Sequence, residues 1–192
     1  MIQRMFQSDP ALAEPDGTQP SVFTVGHPNH TLDRLLHLLE LHGIEVVADV
    51  RSAPWSRRLP WFNQNVLAKA LAGRGVKYVF LGKELGGKPA GADFDGVRDR
   101  DERYRRMAAT AAFSAGIERV ARGAGQFRVA LLCSEDDPSI CHRHLLIAPA
   151  LVACGIAVKH IRGDGSVQAA DARSIEQSAE VADEQPLQLA LF

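Results

Sequence analysis

Cysteine, aromatic residues and an excess of either charge are all scarce in this chain. Its 192 residues include three cysteines and 6% aromatic residues, and the formal net charge at pH 7 is −1. Three cysteines, an odd number, do not make the disulfide framework of a small secreted domain. A net charge near zero excludes a basic nucleic-acid-binding coat over the whole protein, although a local basic patch is compatible with it. These absences favour a cytoplasmic protein.

Long apolar runs are also missing. No run of about 18 apolar residues predicts a membrane span, and the N-terminus lacks the apolar stretch of a signal peptide. A hydrophobic fraction of 46% is ordinary for a globular protein, and the chain is long enough to bury a core. We predict a flexible leader over residues 1–20, one α/β domain over 21–164 and a flexible tail over 165–192.

Five short strand-like runs alternate with segments of helical period. The strands are predicted at 22–26, 45–50, 77–81, 127–133 and 156–161. Helical spacing of apolar residues covers 31–43, 63–73 and 104–123, and a fourth helix starting near His142 should kink or break at Pro149. This alternation predicts a three-layer α/β fold, with a mainly parallel five-stranded sheet and helices on both faces.

Polar and ionisable residues follow every predicted strand. Open parallel sheets bind ligands in the crevice outside the carboxyl ends of their strands, so we expect a site at that edge. Asp49 and Arg51 lie two residues apart on a strand end and therefore share a face, so both can face the crevice. The residues that the strands bring to this edge include His27, Asp49, Arg51, Cys133, Glu135 and His160.

The stretch CSEDDPSICHRH, residues 133–144, carries the densest chemistry. Cys141, His142 and Arg143 are predicted at the first turn of a helix, where backbone N–H groups lower the pKa of a thiol. Arg143 can bind a phosphate or carboxylate, and Glu135 can hold Arg143 or act as a base. We therefore take Glu135, Cys141 and His142 as candidate catalytic residues. Cys133 is equally compatible with an inert, buried strand end.

The same stretch contains possible metal ligands. Adjacent residues in a helix point about 100° apart, which argues against one ion shared by Cys141 and His142. The spacing of Cys133, Cys141, His142 and His144 also matches no standard zinc pattern. We predict no metal and no cofactor.

The segment RSAPWSRRLPWFNQ, residues 51–64, is the second strong local signal. It interleaves Arg51, Arg57 and Arg58 with aromatic residues and contains both tryptophans of the chain. Aromatic faces stack on bases while guanidinium groups contact phosphates, so the pattern favours binding of a nucleotide or a nucleic-acid strand. The alternative is a loop whose aromatic residues pack on the sheet.

These motifs together resemble the family called domain of unknown function 488, over about residues 22–162. The motifs are GH-x-N-H at 26–30, DVR-x-x-P-x-SRR-x-x-x-FN at 49–63, ELGG at 84–87 and C-x-E-x5-CHR at 133–143. The resemblance implies an α/β domain but no reaction. It implies a site made of His27, Asn29, Asp49, Arg51, Arg57, Arg58, Asn63, Glu135, Cys141, His142 and Arg143.

The last five residues, QLALF, resemble the pentapeptide with which bacterial proteins dock into the sliding clamp of replication. Leu191 and Phe192 would fill an apolar pocket, and Gln188 would form hydrogen bonds at its rim. The predicted partner-binding residues are thus Gln188, Leu189, Leu191 and Phe192.

Three functions follow from these patterns. The leading hypothesis is a DNA- or nucleotide-associated enzyme of repair or base processing, with phosphates near Arg51, Arg57, Arg58 and Arg143 and no membrane partner. The second is a cysteine enzyme acting on a small anionic substrate, by analogy with rhodanese and phosphatase-like domains, in which a cysteine also leaves a strand. The third is a non-catalytic nucleic-acid-binding module.

Overall fold

Six strands form one mostly parallel sheet. The computed structural model of the chain describes residues 20–27 and 30–170. Within this part the strand order is β3-β2-β4-β1-β5-β6, and only the β5–β6 pair is antiparallel. The strands are β1 (Ser21–Gly26), β2 (Val46–Asp49), β3 (Lys77–Phe80), β4 (Val129–Cys133), β5 (Ala157–Ile161) and β6 (Val167–Ala169).

Helices cover both faces of this sheet, as predicted. Leu35 and Leu67, on the first two helices, pack with Phe23 and Val47 on one face. The later helices pack on the other face, where Ile117 joins the core of the sheet. The helices are α1 (Leu32–Leu41), α2 (Gln64–Ala72), α3 (Gly82–Leu85), α4 (Arg100–Ala108), α5 (Ala111–Ala124) and α6 (Ala148–Ala153).

The alternation of side chains along the strands separates the two cores. In β2, Val46 and Ala48 face the core under α5, whereas Val47 faces the core under α1 and α2. All residues of β2 and β4 are buried, which is typical of central parallel strands covered on both sides. The five predicted strands and the three-layer α/β fold are confirmed. The strand count was one too low.

The missed strand, β6, lies in residues predicted to begin the tail. It contains three residues, and all of them are exposed. Its sequence, VQA, has no apolar alternation long enough to predict a strand. The antiparallel register, in which His160 pairs with Gln168, adds it to the free edge of β5. Residues 1–19 of the predicted leader and 171–192 of the predicted tail lie outside the described residues.

Two helical segments differ from the sequence prediction. The predicted helix over 104–123 is divided at Thr110, whose side chain accepts a hydrogen bond from the Phe113 N–H and so starts α5. The helix after His142 begins as a π-helix over Arg143–Ile147 and continues as α6 from Ala148. Pro149 lies in the first turn of α6, where its missing N–H removes no hydrogen bond, so the predicted break falls at this change of helix type.

The strand order creates a crevice on each side of β4. The chain leaves β1 and β2 toward helices on one face, and it leaves β4 toward helices on the other face. Because β4 lies between β1 and β2, the connections diverge at its carboxyl end, which is where doubly wound sheets bind ligands. The fold therefore supports the predicted location of the site.

None of the helices described at 20–27 and 30–170 is long and apolar enough to cross a bilayer. The longest of them, α5, has 14 residues, against the roughly 20 that a membrane span requires.

Candidate functional site

The carboxyl ends of β1 and β2 bring predicted site residues into direct contact. The guanidinium NH1 of Arg51 lies 3.0 Å from Nε2 of His27. Both side chains are buried, and the His27 ring stacks on Phe62 with 4.1 Å between ring centroids. Burial and the neighbouring Arg51 cation lower the pKa of His27 to about 4. His27 is thus neutral at pH 7 and accepts the Arg51 hydrogen bond through Nε2.

Asp49 balances the buried charge of Arg51. Its carboxylate accepts hydrogen bonds from Arg51 Nε at 2.8 Å and NH2 at 2.5 Å, and from the Tyr78 hydroxyl at 2.7 Å. Asp49 is fully buried and Arg51 is 6% exposed. The donors of Arg51 are therefore occupied inside the protein. Its predicted contact with a phosphate stays a prediction, and it would require this cluster to rearrange.

Arg143 is also committed to internal contacts. It is 1% exposed, and its guanidinium donates to the backbone carbonyls of Glu135 at 2.5 Å and Asp136 at 2.6 Å. The guanidinium thereby holds the turn that follows β4. Gly26 is required at this point, because a Cβ there would overlap the Glu135 carbonyl. The carboxylate of Glu135 is exposed and has no hydrogen-bond partner among the described residues, so it remains available at the edge of the site.

Cys133, Cys141 and His142 form a buried cluster beside the Asp49–Arg51 pair. The two sulfurs are 3.2 Å apart, and His142 Nδ1 lies 3.8 Å from Cys133 Sγ and 3.6 Å from Cys141 Sγ. The Cys141 thiol donates to Cys133, and with His142 this lowers the pKa of Cys133. The same hydrogen bond and burial raise the pKa of Cys141. Cys133 is therefore the thiol of this pair that ionises first.

The expectation that Cys141 and His142 point apart was wrong. Cys141 lies before the helix with extended backbone, at φ −104° and ψ 144°, so the angle between successive helical side chains does not apply to it. His142 is oriented by Nε2, which lies 3.0 Å from the Val50 carbonyl oxygen. Gly87 packs on the imidazole, and a Cβ there would come within 2.8 Å of His142 Cγ. This contact explains the glycine pair of the ELGG motif.

The loop over residues 51–64 lies at the same edge of the sheet and remains partly open to solvent. Trp55 is 64% exposed and Trp61 37% exposed, whereas Phe62 is buried against His27. Arg57 and Arg58 are exposed. The sequence offered two alternatives for this loop, and the structure divides them: Phe62 packs inside, and both tryptophans remain accessible.

Asn63 shapes this loop rather than pointing into the crevice. Its side-chain oxygen accepts a hydrogen bond of 2.6 Å from the Ser56 N–H. The backbone carbonyl of Asn63 accepts the Leu67 N–H and so starts α2, although its side chain does not cap the helix. Asn29 lies outside the described residues.

Sequence reasoning missed two polar features of this region. Tyr78, on the edge strand β3, supplies the third side-chain hydrogen bond to Asp49, and burial raises the pKa of its hydroxyl. A buried chain also joins Thr24, His160 and His144 through distances of 2.8 and 3.1 Å. The available signal was a polar residue in the middle of an apolar strand, namely Thr24 in VFTVG and His160 in IAVKHI.

An open groove of about 530 Å³ lies away from this site. It runs between α5 and the edge of the sheet, and it is lined near the amino ends of the strands by Lys77, Gln126 and Phe127. None of the predicted site residues lines it. We base the candidate site on the side chains that gather at the carboxyl ends, because the groove contains none of that chemistry.

A family model described as a domain of unknown function, DUF488, matches residues 31–149. The matched segment includes Asp49, Arg51 and the cysteine–histidine cluster, and it begins after His27. No curated protein and no solved structure matched the chain. Because the match spans more than half of the 192 residues, the chain belongs to the DUF488 family.

Proposed function

We propose that the protein is an enzyme that binds single-stranded nucleic acid or a nucleotide on the loop over residues 51–64. One observation carries this proposal: Trp55 and Trp61 are exposed beside two exposed arginines at the carboxyl edge of the sheet. Exposed tryptophan is uncommon on surfaces that bind nothing. Stacking of a base on such a ring contributes about 1–3 kcal/mol, and the guanidinium groups supply the contacts to phosphate.

Charge around the loop favours an anion on this side of the crevice. The Arg57 guanidinium lies 5.8 Å from the centroid of the Trp55 ring, so the cation and the stacking surface form one unit. Exposed Lys88 lies next to the loop, because its N–H donates to Ser52 Oγ. The exposed acidic residues Glu135 and Asp136 lie on the other side of the crevice. Phosphates are therefore expected along the loop, away from the acidic turn.

Unpaired bases suit this arrangement better than a duplex. A base must be unstacked from its neighbours before an indole can cover its face. A base stacked on Trp55 or Trp61 would extend toward the strand ends, where Glu135 offers an exposed carboxylate for acid–base chemistry. A reaction on the base, as in repair or base processing, fits this direction.

The cysteine-enzyme alternative has less support. Cys133 is 3% exposed and Cys141 2% exposed, so a substrate has little access to either sulfur. The buried donors of Arg51 and Arg143 are also already paired. The non-catalytic alternative differs from the enzyme in one respect, since it predicts that Glu135→Gln leaves function in cells intact while Arg58→Ala does not.

Intrinsic fluorescence offers a direct test of binding. Both tryptophans of the chain lie in the loop, so the protein's tryptophan emission reports on this segment alone. Titration with a short unlabelled single-stranded oligonucleotide should quench the emission. Arg57→Ala combined with Arg58→Ala should weaken binding and reduce the slope of log K against log salt by roughly 1, at about 0.7 per phosphate contact.

The matched control removes two exposed arginines at the opposite edge of the sheet. Arg74→Ala combined with Arg122→Ala changes the net charge by the same amount, and Arg74 lies three residues before β3. This variant should bind as the unmodified protein does. Equal weakening in both double variants would mean that only net charge matters, and it would refute a site on the loop.

The proposed clamp partner depends on residues outside the described part of the chain. Gln188, Leu189, Leu191 and Phe192 form the QLALF pattern, and the proposal rests on the sequence alone. Deletion of residues 188–192 should abolish retention on an immobilised bacterial sliding clamp without changing the melting temperature. Retention that survives the deletion would remove the clamp from the account.

A further inference from the structure

We propose that Cys133, Cys141 and His142 bind one thiophilic metal ion, of which zinc(II) is the reference probe. The proposal is independent of nucleic-acid binding, and it concerns the buried cluster behind the loop. Within residues 20–27 and 30–170, these are the three side chains whose ligand atoms meet at one point, all within 4.8 Å of one another. Each supplies a ligand type that soft and borderline metal ions prefer.

The distances fit a tetrahedral ion. With metal–sulfur bonds near 2.3 Å and metal–nitrogen bonds of about 2.0–2.1 Å, neighbouring ligand atoms lie roughly 3.8 Å apart for S–S and about 3.6 Å apart for S–N. The observed S–N distances are 3.8 and 3.6 Å. The S–S distance of 3.2 Å is shorter, and a small rotation of the thiols would open it. The two sulfurs and Nδ1 thus already occupy three corners of a coordination polyhedron.

The orientation of His142 is the second, independent observation. Nε2 lies 3.0 Å from the Val50 carbonyl oxygen, and a carbonyl can only accept a hydrogen bond. Nε2 therefore carries the proton, and the lone pair of Nδ1 is directed at the two sulfurs. A hydrogen bond from the far ring nitrogen to a backbone carbonyl is the usual arrangement around metal-binding histidines.

The bound ion would close a turn. Cys133 ends β4, and Cys141 and His142 precede the π-helix, so the ion would join the two ends of the acidic segment over 134–140. All three ligands are buried, and three protein ligands leave one position for a water or for a three-coordinate ion. A Cys133–Cys141 disulfide is the competing arrangement. It would require the sulfurs to approach to about 2.05 Å, and it leaves the direction of Nδ1 without a role.

Reconstitution of the full-length reduced protein tests the site. The protein is stripped with a chelator under a thiol reductant and titrated with cobalt(II), and then with zinc(II) in competition with a chromophoric chelator. We expect one equivalent of metal, sulfur-to-cobalt charge-transfer absorption that zinc abolishes, and a higher melting temperature with zinc. The cobalt spectrum of the unmodified chain requires no variant, so it reads the coordination directly.

The three cysteines provide matched variants. Cys133→Ser and Cys141→Ser should lower the zinc affinity on the order of a hundredfold or more. Cys154→Ser should leave the affinity unchanged, because Cys154 follows α6 and lies outside the cluster. Absence of charge-transfer absorption in the reduced protein would overturn the proposal. So would zinc binding that survives Cys141→Ser, or a Cys133–Cys141 disulfide in protein that still binds zinc.

Discussion

Replacement of Asp49 by asparagine tests the electrostatic centre of the site. The substitution keeps the size of the side chain and removes its charge, which leaves the Arg51 guanidinium buried without a counter-ion. Arg51 is 6% exposed, and three of its hydrogen bonds, two from the side chain and one from the backbone N–H, go to the Asp49 carboxylate. Tyr78 would also lose a charged acceptor.

The size of the effect follows from this burial. Breaking a buried ion pair by removing one partner costs about 3–5 kcal/mol, a large part of a total stability of roughly 5–15 kcal/mol. For a chain of this length, each kcal/mol lowers the melting temperature by about 2–4 °C, so we expect a loss on the order of 10 °C. Urea unfolding, followed by tryptophan emission, gives the free energy of unfolding and its slope.

An exposed ion pair provides the comparison. Glu102 pairs with Arg105 on α4, where the side chains are 32% and 39% exposed, so Glu102→Gln should cost less than about 1 kcal/mol. The combination of Asp49→Asn with Arg51→Gln should be less destabilising than Asp49→Asn alone, because it also removes the unbalanced cation. A cost for Asp49→Asn as small as that for Glu102→Gln, or strict additivity in the double variant, would refute the reasoning.

Two further predictions concern stability. Burial and the nearby His144 and Arg143 lower the pKa of His160 to about 3 in the folded protein, against 6.5 for an ordinary histidine. Between these values the unfolded chain binds a proton that the folded chain does not, so His160 should reduce stability by about 1.4 kcal/mol per pH unit as the pH falls below 6.5, and His160→Gln should remove that part of the slope in urea titrations. On α5, Gly116→Ala should destabilise by about 1–3 kcal/mol, because the new Cβ would lie 2.7 Å from Cδ2 of buried Leu85. Gly123→Ala should stabilise the same helix by up to about 1 kcal/mol, since the closest atom is 3.6 Å away; thermal melts that rank the two variants in the opposite order would contradict this packing.

The sequence predicted the elements of the fold better than their arrangement. The strands β1, β2, β4 and β5 are apolar runs bounded by polar residues, and a run of that kind identifies a central strand. β6 is exposed throughout and depends on its partner β5, so no local pattern predicts it. The strand order was also not predictable, because it depends on which crossovers skip a neighbour.

The candidate site shows the same division. The spacing of Asp49 and Arg51 placed both side chains on one face, but the pattern did not say that they bond to each other. Arg143 was expected to bind a ligand, and the structure gives it two backbone carbonyls instead. Cys141 was assigned to a helix, and its extended backbone is what brings its sulfur to Cys133 and His142. Each of these differences comes from a tertiary contact, which a one-dimensional pattern does not contain.

The most direct test of the central claim is a crystal structure of the protein with a short single-stranded oligonucleotide. The account predicts bases stacked on Trp55 or Trp61, phosphates beside Arg57 and Arg58, and one base directed toward Glu135. An oligonucleotide bound at the opposite edge of the sheet, near Lys77 and Arg122, would contradict it. So would crystals grown at saturating oligonucleotide in which the loop over residues 51–64 contacts no base.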